Sequence, residues 1–410
     1  MMEELTLKIL KEAMAGTAAA FRCVTTYQPA GGVGDKVFPP TYEGGKYAVE
    51  ERVVENGEIV NCVVLDSVQS QANRMELALL EGRRAGLFEL PLVTAAFNDD
   101  RLRKKFKITS LEAPHRVADA IFRDSLYKGV IFRKSEKGKI LDHADISNAT
   151  GLFGLCPTAL VFGIWDSTGP RGGLGAKIQR AIVSEMIGYG ALEGVKTSSR
   201  IDPAQITLKA ATVYERAEKS ASSPDWTVDE SLAMRDKNQP KKVGKDGKPS
   251  EINHGNVTPT IETGGFTLSY ARQTTVLSLA ALRRLRFPPA GESKSSSERD
   301  RVARTLLASL GLMSAVLVRE QGADLRSRCL LVPTEDFVWE LLANSPGKNE
   351  PKKYSLTGGQ AVEVYKAALA EAKSSELPWE DEIELLPSED LIKLVARSQE
   401  LAMHQAEGDE

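Results

Sequence analysis

The residues best suited to chemistry lie in two glycine-rich stretches. GPRGGLGAK (169–177) sets four glycines beside Arg171 and Lys177. Glycines let backbone N–H groups turn toward an anion, and two cations add charge, so the chemistry on offer is phosphate binding. The stretch departs from a nucleoside-triphosphate P-loop, because Lys177 is flanked by Ala176 and Ile178 where that loop needs Gly and Ser or Thr. The dinucleotide spacing G-x-G-x-x-G is absent as well. A simple turn between two elements is the competing reading. The second stretch, YQPAGGVGDKVFPPTY (27–42), holds three glycines, three prolines and the pair Asp35–Lys36. Such a density of Gly and Pro excludes helix and central strand and predicts an irregular loop that approaches something closely. Asp35 and Lys36 fit either a local salt bridge or a ligand contact.

Catalytic constellations are thin. The four histidines are His115, His143, His254 and His404. His115 follows a proline at an expected helix start, a structural place. His143 stands between Asp142 and Asp145, but no second His or Cys falls at metal-ligand spacing. No G-x-S-x-G elbow occurs, and none of Cys23, Cys62, Cys156 and Cys329 has a His partner. With no CxxC pair, the cysteines read as buried thiols in a reducing compartment. Asp166 could serve as a general base or metal ligand, or cap the glycine turn that follows it.

These residues need a scaffold, and composition bounds it. The chain of 410 residues is 42% hydrophobic, enough for a sizeable core in one elaborated domain or two. No apolar run approaches the ~20 residues that cross a bilayer, and the start, MMEELTLKILKEAM, lacks a signal-peptide layout. A cytoplasmic protein with no membrane partner is expected. The net charge is −3, unevenly spread: residues 376–410 carry eleven acidic and two basic side chains, which leaves +6 on the rest. Basic runs stand at RLRKKFK (101–107), KNQPKKVGKDGK (237–248) and RRLRF (283–287), so a near-neutral chain can still present a phosphate-binding surface.

Periodicity then places the elements. NCVVLDS (61–67) reads as a buried strand that leads into a helix with Asp66 as N-cap and Gln69 at the capping-box position. Val68, Ala72, Met75 and Leu79 form its apolar stripe. Gln69 and Asn73 share one flank, and Ser70 and Arg74 another. Arg74 could pair with Glu76 or Glu81 on the same helix. A further helix is expected over 115–127, with Arg116 and Arg123 flanking Asp119 on a solvated, salt-bridged face. Strands are expected over 158–165, 314–320 and 328–334, and helices over 298–313 and 359–373. The mixed order favours α+β over a doubly wound sheet. The domain reading is a body over 1–375, with a flexible insertion near 220–260, and an acidic tail over 376–410 containing the helix DLIKLVARSQELAMHQ. That tail could dock on a neighbouring copy, mimic nucleic acid, or solubilise the end.

QPAGGVGDKVFPPTY, VVLDSVQSQANRME, TALVFGIWDSTGPRGGLGAKIQRA and SSRIDP (198–203), taken together, resemble landmarks of one family. It is the RAMP-superfamily backbone subunit (Cas-seven type) of type I-G, formerly I-U, CRISPR Cascade-like effector complexes. The resemblance is strong over about 15–205 and weaker to about 375. It implies a modified RNA-recognition-motif (ferredoxin-like) palm with large finger and thumb insertions. It also implies copies of the chain stacked in a filament along crRNA, with other Cascade subunits as partners and the helicase-nuclease as a further candidate. The guide's bases would be left free to pair with target DNA. Such a subunit is not an enzyme and implies no cofactor and no metal.

The residues suit that role. Sequence-independent RNA holding needs cations and backbone amides for phosphates and amide side chains for 2′-hydroxyls. The candidates are Lys36, Gln69, Asn73, Arg74, Arg171, Gly172, Gly173, Lys177, Arg180 and Arg200, with Arg272 and Gln273 from ARQTTVL (271–277). Aromatic residues make up only 6% of the chain and no aromatic-rich RNP1-like strand is visible, which argues for backbone contacts over base stacking. Two alternatives remain open. One is a metal-dependent ribonuclease of the same superfamily using Asp35, Asp142, Asp145 or Asp166. The other is a nucleotide-binding enzyme using 169–177.

Overall fold

The structure, a computed structural model, describes residues 2–167, 175–218, 220–344 and 350–408. Alternation sets its central layer. In β1 (Ala20–Pro29), Phe21, Cys23, Thr25 and Tyr27 are buried, while Arg22, Val24, Thr26 and Gln28 on the opposite face stay at least partly exposed. β2 (Ile59–Asp66) runs into helix α1 (Val68–Arg84), after which come β3 (Ile182–Tyr189) and β4 (Tyr270–Ser278). Helix α2 (Ser297–Glu320) then leads to β5 (Leu330–Pro333) and β6 (Trp339–Leu342). The ten-stranded sheet contains the run β6–β1–β4–β3–β2, and β5 also pairs with β1. Every neighbour pair in that run is antiparallel.

α1 lies in the chain between β2 and β3, with further elements after it, and α2 lies between β4 and β5. The two helices pack on each other, α1 on β3 and α2 on β4, so both cover one face of the sheet. The core lies between these layers. Leu306, Leu307, Leu310, Met313 and Val316 of α2 are fully buried there. A Cβ on Gly311 would stand 3.0 Å from Leu277 of β4 and 3.4 Å from Val161, so glycine lets α2 approach the sheet.

The mixed α/β class expected from the sequence is observed. Several local expectations are corrected. Residues 314–320 are the last turns of α2 rather than a strand. Thr158–Phe162 is a helix, followed by the two-residue strand Ile164–Trp165. Both segments are buried almost all round, which erases the helical period from their sequence. The helix expected over 115–127 breaks into a 3-10 turn at Arg116–Ala118, a short helix Ala120–Arg123 and a strand Ser125–Tyr127, with Arg116 at φ +53° and Asp119 capping. The N-cap of α1 is Ser67, whose hydroxyl accepts from the Ser70 N–H, while Asp66 ends β2. α2 also holds an 18-residue window with mean hydropathy 1.5, an apolar run missed in the sequence, and 78% of it is buried in the core.

A five-stranded sheet forms beside this layer. In it Glu382–Pro387, from the stretch read as an acidic tail, lies parallel to Leu92–Phe97 and antiparallel to Ser125–Tyr127. Contacts divide the chain into two compact units, Met1–Leu192 with Phe266–Leu394, and Glu193–Gly265 with Val395–Glu410. In the second, Leu192–Arg200 and Val257–Thr267 form a two-stranded ribbon. There the buried Asp202 carboxylate accepts from the N–H groups of Gly255 and Ala204.

Leu310 is fully buried. Truncating it leaves a cavity the packed layers cannot fully close, so Leu310→Ala should lower the unfolding free energy by about 2–5 kcal/mol, read from urea denaturation.

Candidate nucleic-acid interface

The junction of β2 and α1 holds a buried carboxylate. Asp66 is 1% exposed, and its Oδ2 accepts from Gln71 Nε2 at 2.7 Å and from Arg74 Nε at 3.0 Å. Arg74 continues to the carbonyls of Leu325, at 2.6 Å, and Asp324. Gln71 Oε1 accepts from Ser184 of β3 at 2.9 Å and from Gln273 of β4 at 2.8 Å, and Gln273 accepts from the Tyr27 hydroxyl of β1 at 2.9 Å. Arg74 and Gln273, both nominated as RNA contacts, are therefore members of an internal network. Arg74 pairs with Asp66 rather than with Glu76 or Glu81. Gln71 was not anticipated.

Around this network the nominated loop is stitched down. The N–H of Ala30 donates to Leu330 O, that of Phe38 to Arg328 O, and Val37 exchanges two hydrogen bonds with Phe266. Asp35 Oδ1 accepts from the backbone N–H of Lys36, and a Cβ on Gly31 would collide with the Asp35 carboxylate at 2.2 Å. Lys36 is half-buried; Val33 at the tip is fully in solvent. The turn 324–329 thus contacts the opening loop through Arg328 and α1 through Arg74. It brings exposed Arg326 and Arg328 to the same end of the fold, with the Arg328 guanidinium 3.9 Å from the Phe38 ring centroid. Gln69 and Asn73 are exposed on the first turns of α1. Arg326 and Arg328 were missed in the sequence; the signal was two arginines in RSRC just before a strand.

A second group forms at the hairpin Ile164–Trp165 with Lys177–Ile178. Lys177 stands across from Trp165, with its Nζ 5.4 Å from the ring centroid. Lys177 and Arg180 are exposed there and, with His115, line a groove of about 410 Å³. Arg116 also lines that groove: it donates to Glu76 at 2.6 and 2.8 Å and to Gly163 O at 3.1 Å. The solvated, salt-bridged face expected for Arg116 and Arg123 is corrected at Arg116, which enters a buried pair with Glu76, while Arg123 makes a partly exposed salt bridge with Asp124. Burial pushes the Glu76 carboxyl up to about 7 against the opposing pull of Arg116. Arg171, Gly172 and Gly173 lie outside the described residues.

Arg272 neighbours Gln273 but faces the other side of β4, lying 5.1 and 5.2 Å from the stacked rings of Tyr189 and Tyr270. Arg200, in the second unit, donates to Gly255 O at 2.9 Å. Among the acids, Asp142 and Asp166 meet on Arg133, at 2.9 and 2.5 Å, and Asp145 accepts from Ser147 and Asn148. Among the described residues no three His, Cys, Asp or Glu side chains gather as a metal site. All four cysteines are free and buried.

Residues 21–193 match the family model described as CRISPR-associated protein GSU0053 (Cas_GSU0053). The matched stretch is less than half of the chain, and it carries β1, the opening loop, α1, the Trp165 hairpin and β3. No curated protein matches the chain. The similarity connects the chain to CRISPR defence and to the components of CRISPR complexes.

Two measurements check this geometry. Arg74→Ala would strand the buried Asp66 carboxylate and should cost about 2–4 kcal/mol in urea denaturation, discounted for the partial exposure of Arg74. Gln69→Ala and Asn73→Ala, on the exposed flank of the same helix, should stay within about 0.5 kcal/mol. Glu76 titrates near 4.5 in an unfolded chain and near 7 in the fold. Between those values the folded state binds the extra proton, so this contribution is full below pH 4.5 and is lost as pH rises to about 7. The loss is at most roughly 3 kcal/mol, and Glu76→Gln should lack it when unfolding is followed across that range.

Proposed function

We propose that the chain is a guide-RNA-binding backbone subunit of a type I CRISPR surveillance complex. It would be a cytoplasmic protein whose copies line up along crRNA and hold its sugar-phosphate backbone, leaving bases to pair with target DNA. One observation carries the reading. Within and beside the stretch similar to a CRISPR-associated family, the opening loop, the start of α1 and the turn 324–329 converge, and Lys36, Arg326 and Arg328 stand with exposed Gln69 and Asn73. Cations answer phosphates, and the two amides answer 2′-hydroxyls.

The topology supports an RNA-recognition-motif-like palm of type I-G, Cas-seven kind. With β1, β3, β4 and β5/β6 taken as its four strands, the spatial order is fourth, first, third, second, and both crossover helices share one face. In that frame, 30–58 and 193–265 are insertions, the finger and thumb of the reading. A holding role rather than a cutting one is supported by Asp142 and Asp166, two of the four acids nominated for ribonuclease chemistry, because Arg133 occupies both.

The test is the full chain purified from cells that co-express a CRISPR array and the partner subunits. RNA of one defined length, protected from nuclease within a large assembly and intact in magnesium or manganese, is the expected result. Arg326→Glu and Arg328→Glu should lower RNA retention, and each should reduce the slope of log affinity against log salt by about one. An RNA-free monomer, or cleavage of the RNA, overturns the reading.

A further inference from the structure

The groove beside the Trp165 hairpin has the composition of a nucleotide site. Trp165 is 62% exposed on its rim, although it follows a helix buried on every side. Its backbone is fixed from behind: Asp166 N–H donates to Ala176 O at 2.8 Å, and the Asp166 carboxylate is held by Arg133. Gly175 is needed there, because a Cβ would stand 2.4 Å from Asp166 O. Gly163, at φ +87°, lets the Arg180 N–H approach to where a Cβ would stand 2.9 Å away. The strand that carries the indole is therefore fixed, and the ring is presented to solvent at the groove.

The charge around it has one sign. The cations Lys177 and Arg180 line the groove with His115, no carboxylate lines it among the described residues, and Arg116, which also lines it, is already paired with Glu76. Cations that surround an exposed aromatic ring, in about 410 Å³, suit a planar base that carries a phosphate. Lys177 now stands over the ring. A cation on an exposed ring is held more weakly than a stacked base, so a base can take the ring and release Lys177 to the phosphate.

We propose that Trp165 is a base-stacking residue for single-stranded RNA, with Lys177 and Arg180 holding the adjoining phosphate. This rests on the RNA-binding reading and adds to it a contact that the low aromatic content of the chain argues against. The site would take any base, because every base presents a π-face.

The test uses the full chain, with uridine monophosphate, ribose 5-phosphate and a short oligouridylate RNA as probes. Uridine monophosphate should quench the tryptophan emission of the wild type and leave that of Trp165→Phe, which keeps Trp226, Trp339 and Trp379, unchanged. Ribose 5-phosphate, with a phosphate and no base, should quench neither. Trp165→Ala should weaken oligouridylate binding by about tenfold, and Trp165→Phe should restore most of it, which a fold defect would not allow. If the wild type binds the oligonucleotide and Trp165→Ala binds it equally well, stacking is overturned while the RNA-binding reading stands. Quenching by the mononucleotide without any RNA binding keeps the site and overturns that reading. If neither probe binds, both fall. A change of assembly state in Trp165→Ala with unchanged nucleotide binding makes Trp165 a protein contact and overturns the proposal.

Discussion

A carboxylate buried where a strand becomes a helix calls for donors, and one oxygen of Asp66 gathers them. Its Oδ2 receives Gln71 and Arg74 from the first turns of α1, while Oδ1 is buried without a hydrogen-bond partner. Gln71 in turn receives Ser184 from β3 and Gln273 from β4, and Gln273 receives Tyr27 from β1. One buried charge thereby ties four strands, a helix and, through Arg74, the turn before β5. An unanswered group in this place would cost far more than each bond contributes, which makes the network a constraint on register as much as a source of stability. A shift of β4 by one residue would carry Gln273 to the opposite face and put Arg272 in its place.

The same network settles what is left for binding. Because Arg74 is spent on Asp66 and on two carbonyls, the cations offered to a partner at this end are those carried by the loops, while α1 contributes Gln69 and Asn73. Loops anchored at several backbone hydrogen bonds can hold such groups in place without further ordering, and a pre-ordered surface loses less entropy when it binds. Arg328 illustrates the point. Its carbonyl accepts from Phe38, its guanidinium lies over that ring, and its left-handed backbone turns the chain back toward β5.

What could be read from the sequence follows from where a signal is local. The stripe of α1, the helix near 359–373 and the strand over 328–334 carry their period within a few turns, and they form as Val68–Arg84, Gly358–Ser374 and Leu330–Pro333. The loop of 27–42 declares itself by Gly and Pro. Residues 314–320 and 158–162 do not, because a helix buried on all sides reads like a buried strand. The site was legible only in part for a different reason. Arg74 and Asp66 are eight residues apart, and Gln273 is 202 residues from Gln71, so which polar side chain is internal depends on pairings that no local pattern contains. Trp165 was hidden by the apolar run before it, and Arg326 and Arg328 by their distance from the loop they join.

Net charge is a poor guide to such a surface. Many of the basic residues are neutralised internally: Arg22 on Glu340, Arg52 on Glu185, Arg116 on Glu76 and Arg133 on Asp142 and Asp166. RLRKKFK, the densest basic run, is committed in the same way, with Arg101 on Asp99 and Glu389, and Lys107 on Glu382 and Glu384. Glu382, Glu384 and Glu389 of the acidic C-terminal stretch therefore cancel part of a basic run. With these pairs set aside, Lys177, Arg180, Arg326 and Arg328 are among the exposed cations left to meet a polyanion. Attraction from such cations is short-ranged at physiological salt, where screening acts within about 8 Å. Holding a long strand with it requires either contacts that salt does not screen, such as amides on 2′-hydroxyls and a ring on a base, or many copies acting together.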